Sequence, residues 1–196
     1  TTYGQGAAPV SADEELSHVI PVIKRLHDDL SIPISIDTYK ADVARHAVAA
    51  GASLINDVWG LQRDPKLADV AADTGAPLVL MHNQASTEYS DLMPDVLASL
   101  QKSIALARKA GVASDAIIVD PGIGFGKTVQ HNLELLRRLR EFKDVLGYPV
   151  LVGVSRKSTI GAVLGELPPD DRMEGTAAAI VLSIANGADI VRVHDV

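Results

Sequence analysis

Six short apolar runs recur along this chain, and a longer amphipathic stretch separates each from the next. The runs occupy residues 34–37, 53–57, 78–82, 116–120, 150–155 and 189–194, and most are rich in Val, Ile and Leu. Continuous apolar runs of that length read as strands buried on both faces, the condition found in parallel sheets. Repeated strand–helix units then imply right-handed crossovers between parallel neighbours.

The stretches between the runs carry helical periodicity. Ser11 with Glu14 forms a capping box ahead of Leu16, Val19, Ile20 and Ile23. Pro21 falls inside that pattern and predicts a kink or a later helix start. Val43, Ala44, Ala47 and Val48 share one helical face, with Gly51 placed to end the helix. Leu97, Leu100 and Ile104 repeat the pattern before Gly111, and Leu135, Leu139, Phe142 and Leu146 repeat it before Gly147. Residues 176–186 are apolar almost all round, which predicts a helix buried against something else.

An α/β chain of this kind has two main architectures, an open doubly wound sheet or a (β/α)8 TIM barrel. The polar residues choose between them. Nearly every run closes on a polar side chain: Asp37, Asn56 with Asp57, His82, Asp120, Ser155 with Arg156 and Lys157, and Arg192 with His194. In a barrel all strand carboxyl ends face one mouth, where active sites sit. An open sheet concentrates its chemistry after one or two strands. Chemistry spread over six strand ends favours the barrel. A complete barrel needs eight strands and about 250 residues, whereas this chain has 196. Residues 1–196 are therefore read as a single barrel domain, incomplete at about six of eight strand–helix units. The remaining strands are expected before Thr1 and a last helix after Val196.

Composition narrows the function. Lys plus Arg is 18 and Asp plus Glu is 25, a formal charge of −7. An acidic chain lacks the basic surface that general nucleic-acid or anionic-membrane binding requires. With no cysteine, disulfides, thiolate metal sites and cysteine nucleophiles are excluded. The longest apolar stretch, 176–188, is too short for a bilayer and is interrupted by Ser183 and Asn186. No charged-then-apolar leader opens the chain, so a cytoplasmic location is expected.

The most distinctive segment is Asp120-Pro-Gly-Ile-Gly-Phe-Gly-Lys127. It is not a P-loop, because Pro121 stands where that motif needs a glycine. Nor is it a dinucleotide fingerprint, because the third glycine comes one residue early. Three glycines in five residues let a backbone pass close to a ligand. A tight turn alone explains the glycines but not a strand-end Asp with a Phe held in the turn. Ser155-Arg156-Lys157-Ser158 places two cations and two hydroxyls directly after a strand, a set suited to an anion or an electron-rich ring. The alternative, a solvated helix start, is disfavoured because cations oppose the helix dipole there. Arg192 and His194 alternate with Val191 and Val193 and so point the same way, inward in a barrel. A structural Arg–Asp pair is the competing explanation. Asp37 and Asp120 are candidate acid/base groups, or readers of a heterocycle's N–H edge. His82 has no HExxH context and is read as packed or turn-bonded, so no metal-ligand set is assigned. His18, His27 and His46 fall on helices and are read as solvated.

Taken in order, Ser35-Ile-Asp-Thr38, Ile55-Asn-Asp57, Leu80-Met-His82, Asp120 to Lys127, Gly153-Val-Ser-Arg-Lys-Ser158 and Arg192-Val-His-Asp-Val196 resemble the dihydropteroate synthase family. The likeness runs from about Gly6 to Val196, and its two longest segments are the most specific. The resemblance implies a (β/α)8 barrel, a homodimer, and folate-pathway chemistry that sulfonamides target. It implies a transferase that joins 7,8-dihydropterin-6-ylmethyl pyrophosphate to p-aminobenzoate and releases pyrophosphate, with Mg²⁺ assisting. By resemblance, Asp120 and Asn56 read the pterin edge, and Asp37 sits against the ring. Val58, Met81 and Phe125 pack on it. Lys157 bonds the pterin, following Gly153 at the end of the preceding strand, and Ser155 and Arg156 lie near the second substrate. Arg192 stacks on the pterin, and with His194 it holds the leaving group.

That division of charge is chemically sound. Loss of pyrophosphate leaves positive charge on the pterin methylene and negative charge on the departing group, so an acid-derived anion and two cations stabilise what develops in the transition state. The family's Asn-bearing loop, which helps hold Mg²⁺, has no counterpart in the sequence. Its Thr-Arg-Pro-Gly turn is replaced by Tyr3-Gly4-Gln5-Gly6. Two rival readings follow: an inactive homologue that only binds pterin, and a pterin methyltransferase domain acting on methyltetrahydrofolate.

Overall fold

The computed structural model describes residues 10–196. Tyr3 to Gly6 lie outside the described residues. The chain clusters into two compact units, residues 1–80 with 102–117, and residues 81–101 with 118–196.

In the first unit, α1 (Ala12–Asp29) leads to β1 (Ser35–Asp37), α2 (Ala41–Ala49), β2 (Leu54–Asp57), α3 (Leu67–Thr74) and most of β3 (Leu78–Met81). The three strands are parallel, with Ser35 opposite Leu54 and Ile55 opposite Leu78. Their buried residues include Ile36, Ile55, Leu78, Val79 and Leu80, as expected for strands covered on both faces. Ser11 caps α1, its hydroxyl accepting from the Glu14 N–H at 3.2 Å. Pro21 does not delay the start of this helix, since α1 begins at Ala12 and continues to Asp29 with Pro21 inside it. A proline there removes only its own bond to the fourth residue back. The cap and the buried Glu15, which pairs with Lys40, hold the flanking turns. Helix α3 carried no expectation. Leu67, Ala68, Val70 and Ala71 form its buried side, and Gly75 ends it in the left-handed region.

In the second unit, α4 (Leu92–Ala110), which contributes residues to both units, is followed by β4 (Ile117–Asp120), α5 (Val129–Arg137) and α6 (Leu139–Leu146). Then come β5 (Leu151–Gly153), α7 (Ser158–Val163), α8 (Met173–Ala185) and β6 (Ile190–Arg192). Val119 bridges Val150 in parallel, and β5 pairs with β6 in parallel, Gly153 opposite Arg192. The periodic stretch before Gly147 is two helices rather than one. Arg138 leaves helical geometry at φ −107°, and its guanidinium braces the break by bonding Glu134 and Glu141. The apolar segment around 176–186 is helical as expected, but Val181, Leu182 and Ile184 are exposed while Thr176 and Ser183 are buried. Its inward positions are small or polar and seat α8 closely, leaving the large residues on the other side. Among the described residues, no helix is long and apolar enough to cross a membrane.

Candidate active site

Polar strand ends in the first unit lie side by side. Asp37 and Asn56 are in register at the ends of β1 and β2. Both are partly exposed, whereas the neighbouring Val58 is buried. Asp57 is also buried, and both its oxygens are occupied: one accepts from the Trp59 N–H at 2.9 Å, the other from the Leu61 N–H at 2.6 Å. Burial, with Asp37 and Asp64 nearby, pushes its carboxyl up to about 6. Asp57 thus shapes the turn after β2, in which Leu61 takes a positive φ of 67°. Trp59 is covered by Arg63, 4.1 Å from its ring centre.

In the second unit, the glycine turn packs against the segment after β3. Gly122 has φ 72°, and a Cβ there would lie 1.9 Å from the His82 carbonyl oxygen, so only glycine fits. Gly124 has φ 82°, and a Cβ would come within 2.9 Å of the Lys157 side chain. Asn132, which no sequence signal singled out beyond a helix start, is buried. It accepts from the Gly124 N–H and donates to the Thr159 hydroxyl, both at 2.8 Å, so it ties the turn to α7.

Around this turn the charged groups converge. Asp120 accepts from the Gly122 N–H at 2.7 Å, and burial pushes its carboxyl up to about 6 against the pull of Lys157, Lys127 and Arg192. Lys157 donates to the Ile123 carbonyl, and its ammonium sits 4.2 Å from the Phe125 ring centre. Burial lowers Lys157 to about 8, with Asp120 opposing and Arg192 reinforcing that shift. Met81 and Ser155 are buried, and the Ser155 hydroxyl accepts from the His194 N–H at 3.1 Å. Arg192, which ends β6, and His194, just beyond it, are exposed, and Arg192 lies close enough to act on both Asp120 and Lys157.

Arg156 lies in the turn that follows β5. At φ 53°, it turns its guanidinium onto Asp195 at 2.9 Å and Asp170 at 2.9 Å. Its charge is met by carboxylates of the chain itself, so it braces the turn that presents Lys157. His82 is packed, as expected, and its partner is Lys127, a residue the motif contained but that sequence reasoning did not single out.

Comparison with known proteins places this arrangement. The family model described as pterin binding enzyme matches residues 2–194. A dihydropteroate synthase of Bacillus subtilis is 56% identical over 97% of this chain and 66% of its own length. The chain belongs to the dihydropteroate synthase family. A crystal structure of the Clostridium difficile family member in the presence of pteroic acid superposes with a TM-score of 0.94, at 52% identity over 97% of this chain and 72% of that one. The Xanthomonas albilineans synthase with 4-aminobenzoic acid gives a TM-score of 0.93 at 43% identity, covering 97% of this chain and 69% of that one. The fold class is accordingly α/β, the TIM-barrel class of the family. The chain spans about two thirds of the length of the Bacillus relative.

Proposed function

We propose that the protein condenses 7,8-dihydropterin-6-ylmethyl pyrophosphate with p-aminobenzoate to give dihydropteroate and pyrophosphate. The observation that carries this reading is Asp120: a buried carboxylate with one oxygen on Gly122, ringed by Lys127, Lys157 and Arg192. An ionised carboxylate so placed accepts two N–H groups from a flat heterocycle in a bidentate, charge-assisted pair. Phe125 and Met81 supply apolar contact for its faces, and Gly153 pairs with Arg192 across β5 and β6. Pteroic acid and 4-aminobenzoic acid, present in the related structures, are the matching ligand chemistries.

The reaction breaks the bond between the pterin methylene and the pyrophosphate oxygen, and the electron pair leaves with pyrophosphate. The arylamine nitrogen forms the new carbon–nitrogen bond and releases a proton. Arg192 and His194, on the open face of β6, suit the leaving anion, while Lys157 and Ser155 approach p-aminobenzoate. Asp37 and Asn56 keep the roles the family resemblance gives them, stabilising the methylene cation and reading the pterin edge. An arylamine attacking so strong an electrophile needs no strong base, so the lack of a nucleophilic triad is no obstacle.

Mg²⁺ enters only through the family. Among the described residues no group of three His, Cys, Asp or Glu side chains stands ready for a metal ion, and no step here runs through one. A cytoplasmic location and a homodimer complete the reading.

The test is turnover of p-aminobenzoate with the pterin pyrophosphate, alongside calorimetry with pterin alone. Product formation is the expected result. Pterin binding without product reduces the protein to a binding module, and no binding overturns both readings.

A further inference from the structure

Lys127 ends the glycine turn, yet its side chain is buried rather than extended into water. Its ammonium lies 2.8 Å from His82 Nδ1 and donates to the Phe125 carbonyl at 2.9 Å. Burial lowers the Lys127 ammonium to about 7, with Asp120 opposing that shift and Lys157 reinforcing it; below that pH it is a cation with three donors and no acceptor, so His82 receives the bond through the Nδ1 lone pair and carries its own proton on Nε2. Burial and the adjacent cation lower the His82 ring to about 3, which keeps it a neutral acceptor at physiological pH. The same ammonium would lie 3.4 Å from a Cβ at Gly122, whose N–H holds the Asp120 carboxylate. One cation therefore sits against the peptide that carries the carboxylate and against the carbonyl of the ring-packing Phe125.

We propose that Lys127 is a positioning residue for pterin recognition: seated on His82, its ammonium fixes the glycine turn through the Phe125 carbonyl and places positive charge behind the Asp120 carboxylate that receives the heterocycle's N–H groups. This rests on the function proposed above and extends it to a side chain behind the pterin-reading carboxylate. Other charges face the same groups. Lys157 and Arg192 also act on Asp120, and Asp95 of α4 acts on His82. They stay in place when Lys127 is changed, so the effect of its charge can be read separately.

The experiment measures affinity for 6-hydroxymethylpterin, an uncharged probe, through the titration of Asp120, which burial places at about 6. Lys127→Gln keeps an N–H donor for the Phe125 carbonyl but loses the charge. The acid midpoint of binding is expected to rise by about one pH unit, making binding about fivefold weaker at pH 6 and about twofold weaker at pH 7. Lys127→Met is expected to do the same, and Lys127→Arg to restore the wild-type midpoint. A purely structural role weakens binding by one factor at every pH and leaves the midpoint still, which overturns the proposal. A second readout follows Asp120 directly: its carboxyl ¹³C resonance should titrate about one pH unit higher in Lys127→Gln than in the wild-type protein, and an unmoved midpoint also overturns the proposal. If the wild-type protein binds no pterin, the functional reading falls and this inference with it; if it binds and the midpoint does not move, this inference alone falls.

Discussion

Asp57 and Asp120 end two strands with the same residue, and physical chemistry treats them alike up to a point. They are 1% and 6% exposed, and burial pushes both carboxyls up to about 6. Their surroundings then diverge. Asp57 spends both oxygens on backbone N–H groups of its own turn and has carboxylates, Asp37 and Asp64, as its charged neighbours. Asp120 spends one oxygen on Gly122 and has three cations as neighbours. Depth and a raised pKa thus mark a costly carboxylate without saying what it is for. What the local backbone leaves over marks the recognition group, and only Asp120 has capacity left for a ligand.

The sharpest way to break this contrast is Asp120→Asn. A bidentate charge-assisted pair with the pterin is replaced by an amide that can accept only once, and loss of about 3 kcal/mol weakens pterin binding about a hundredfold. The melting temperature at neutral pH should hold or rise, because the Asn oxygen still receives the Gly122 N–H and the cost of an ionised buried carboxylate is removed. Pterin binding that survives this change while Asp57→Asn abolishes it inverts the assignment. A smaller effect is expected from Lys157→Ala. That side chain contributes one charged hydrogen bond at a half-buried position, so turnover falls about thirtyfold. Phe125 loses its cation, but the buried residues of β5 are untouched, and the thermal transition should stay within a few degrees of wild type. An equal loss of stability and turnover would make Lys157 a structural residue.

The strand ends were legible because they combine two independent signals, an apolar run and the polar residue that closes it. All six runs became strands. The charged cluster around Asp120 was legible too: strand-end placement put Asp120 and Lys157 at one barrel mouth, and the family resemblance put them with Phe125 around one ligand. Three features were not legible because they depend on contacts far apart in sequence. Arg156 had the letters of an anion ligand, but its charge is answered by Asp170 and Asp195. Asn132 lies in the first turn of α5, and only the structure shows it tying the glycine turn to Thr159. Lys127 looked like the end of a loop, and only the approach of His82, 45 positions away, turns it inward.

The smallest effect tests the other half of the contrast and depends on pH. The folded protein holds the Asp57 proton up to about pH 6, whereas an unfolded chain releases it near 3.8. Between those values the native state binds more protons, so this residue's contribution to stability is full below about pH 4 and falls as pH rises to 6. The loss amounts to about 3 kcal/mol at neutral pH. Asp57→Asn removes that slope but leaves one of the Trp59 and Leu61 N–H groups without its acceptor, at a cost of about 1–3 kcal/mol. The variant should therefore be clearly less stable than wild type at pH 4 and close to it at pH 7, as read from denaturant midpoints, with pterin affinity at pH 7 unchanged within about threefold. A stability deficit that stays constant across that range would mean that Asp57 is ionised in the fold at every pH, and burial would then not be what sets its titration.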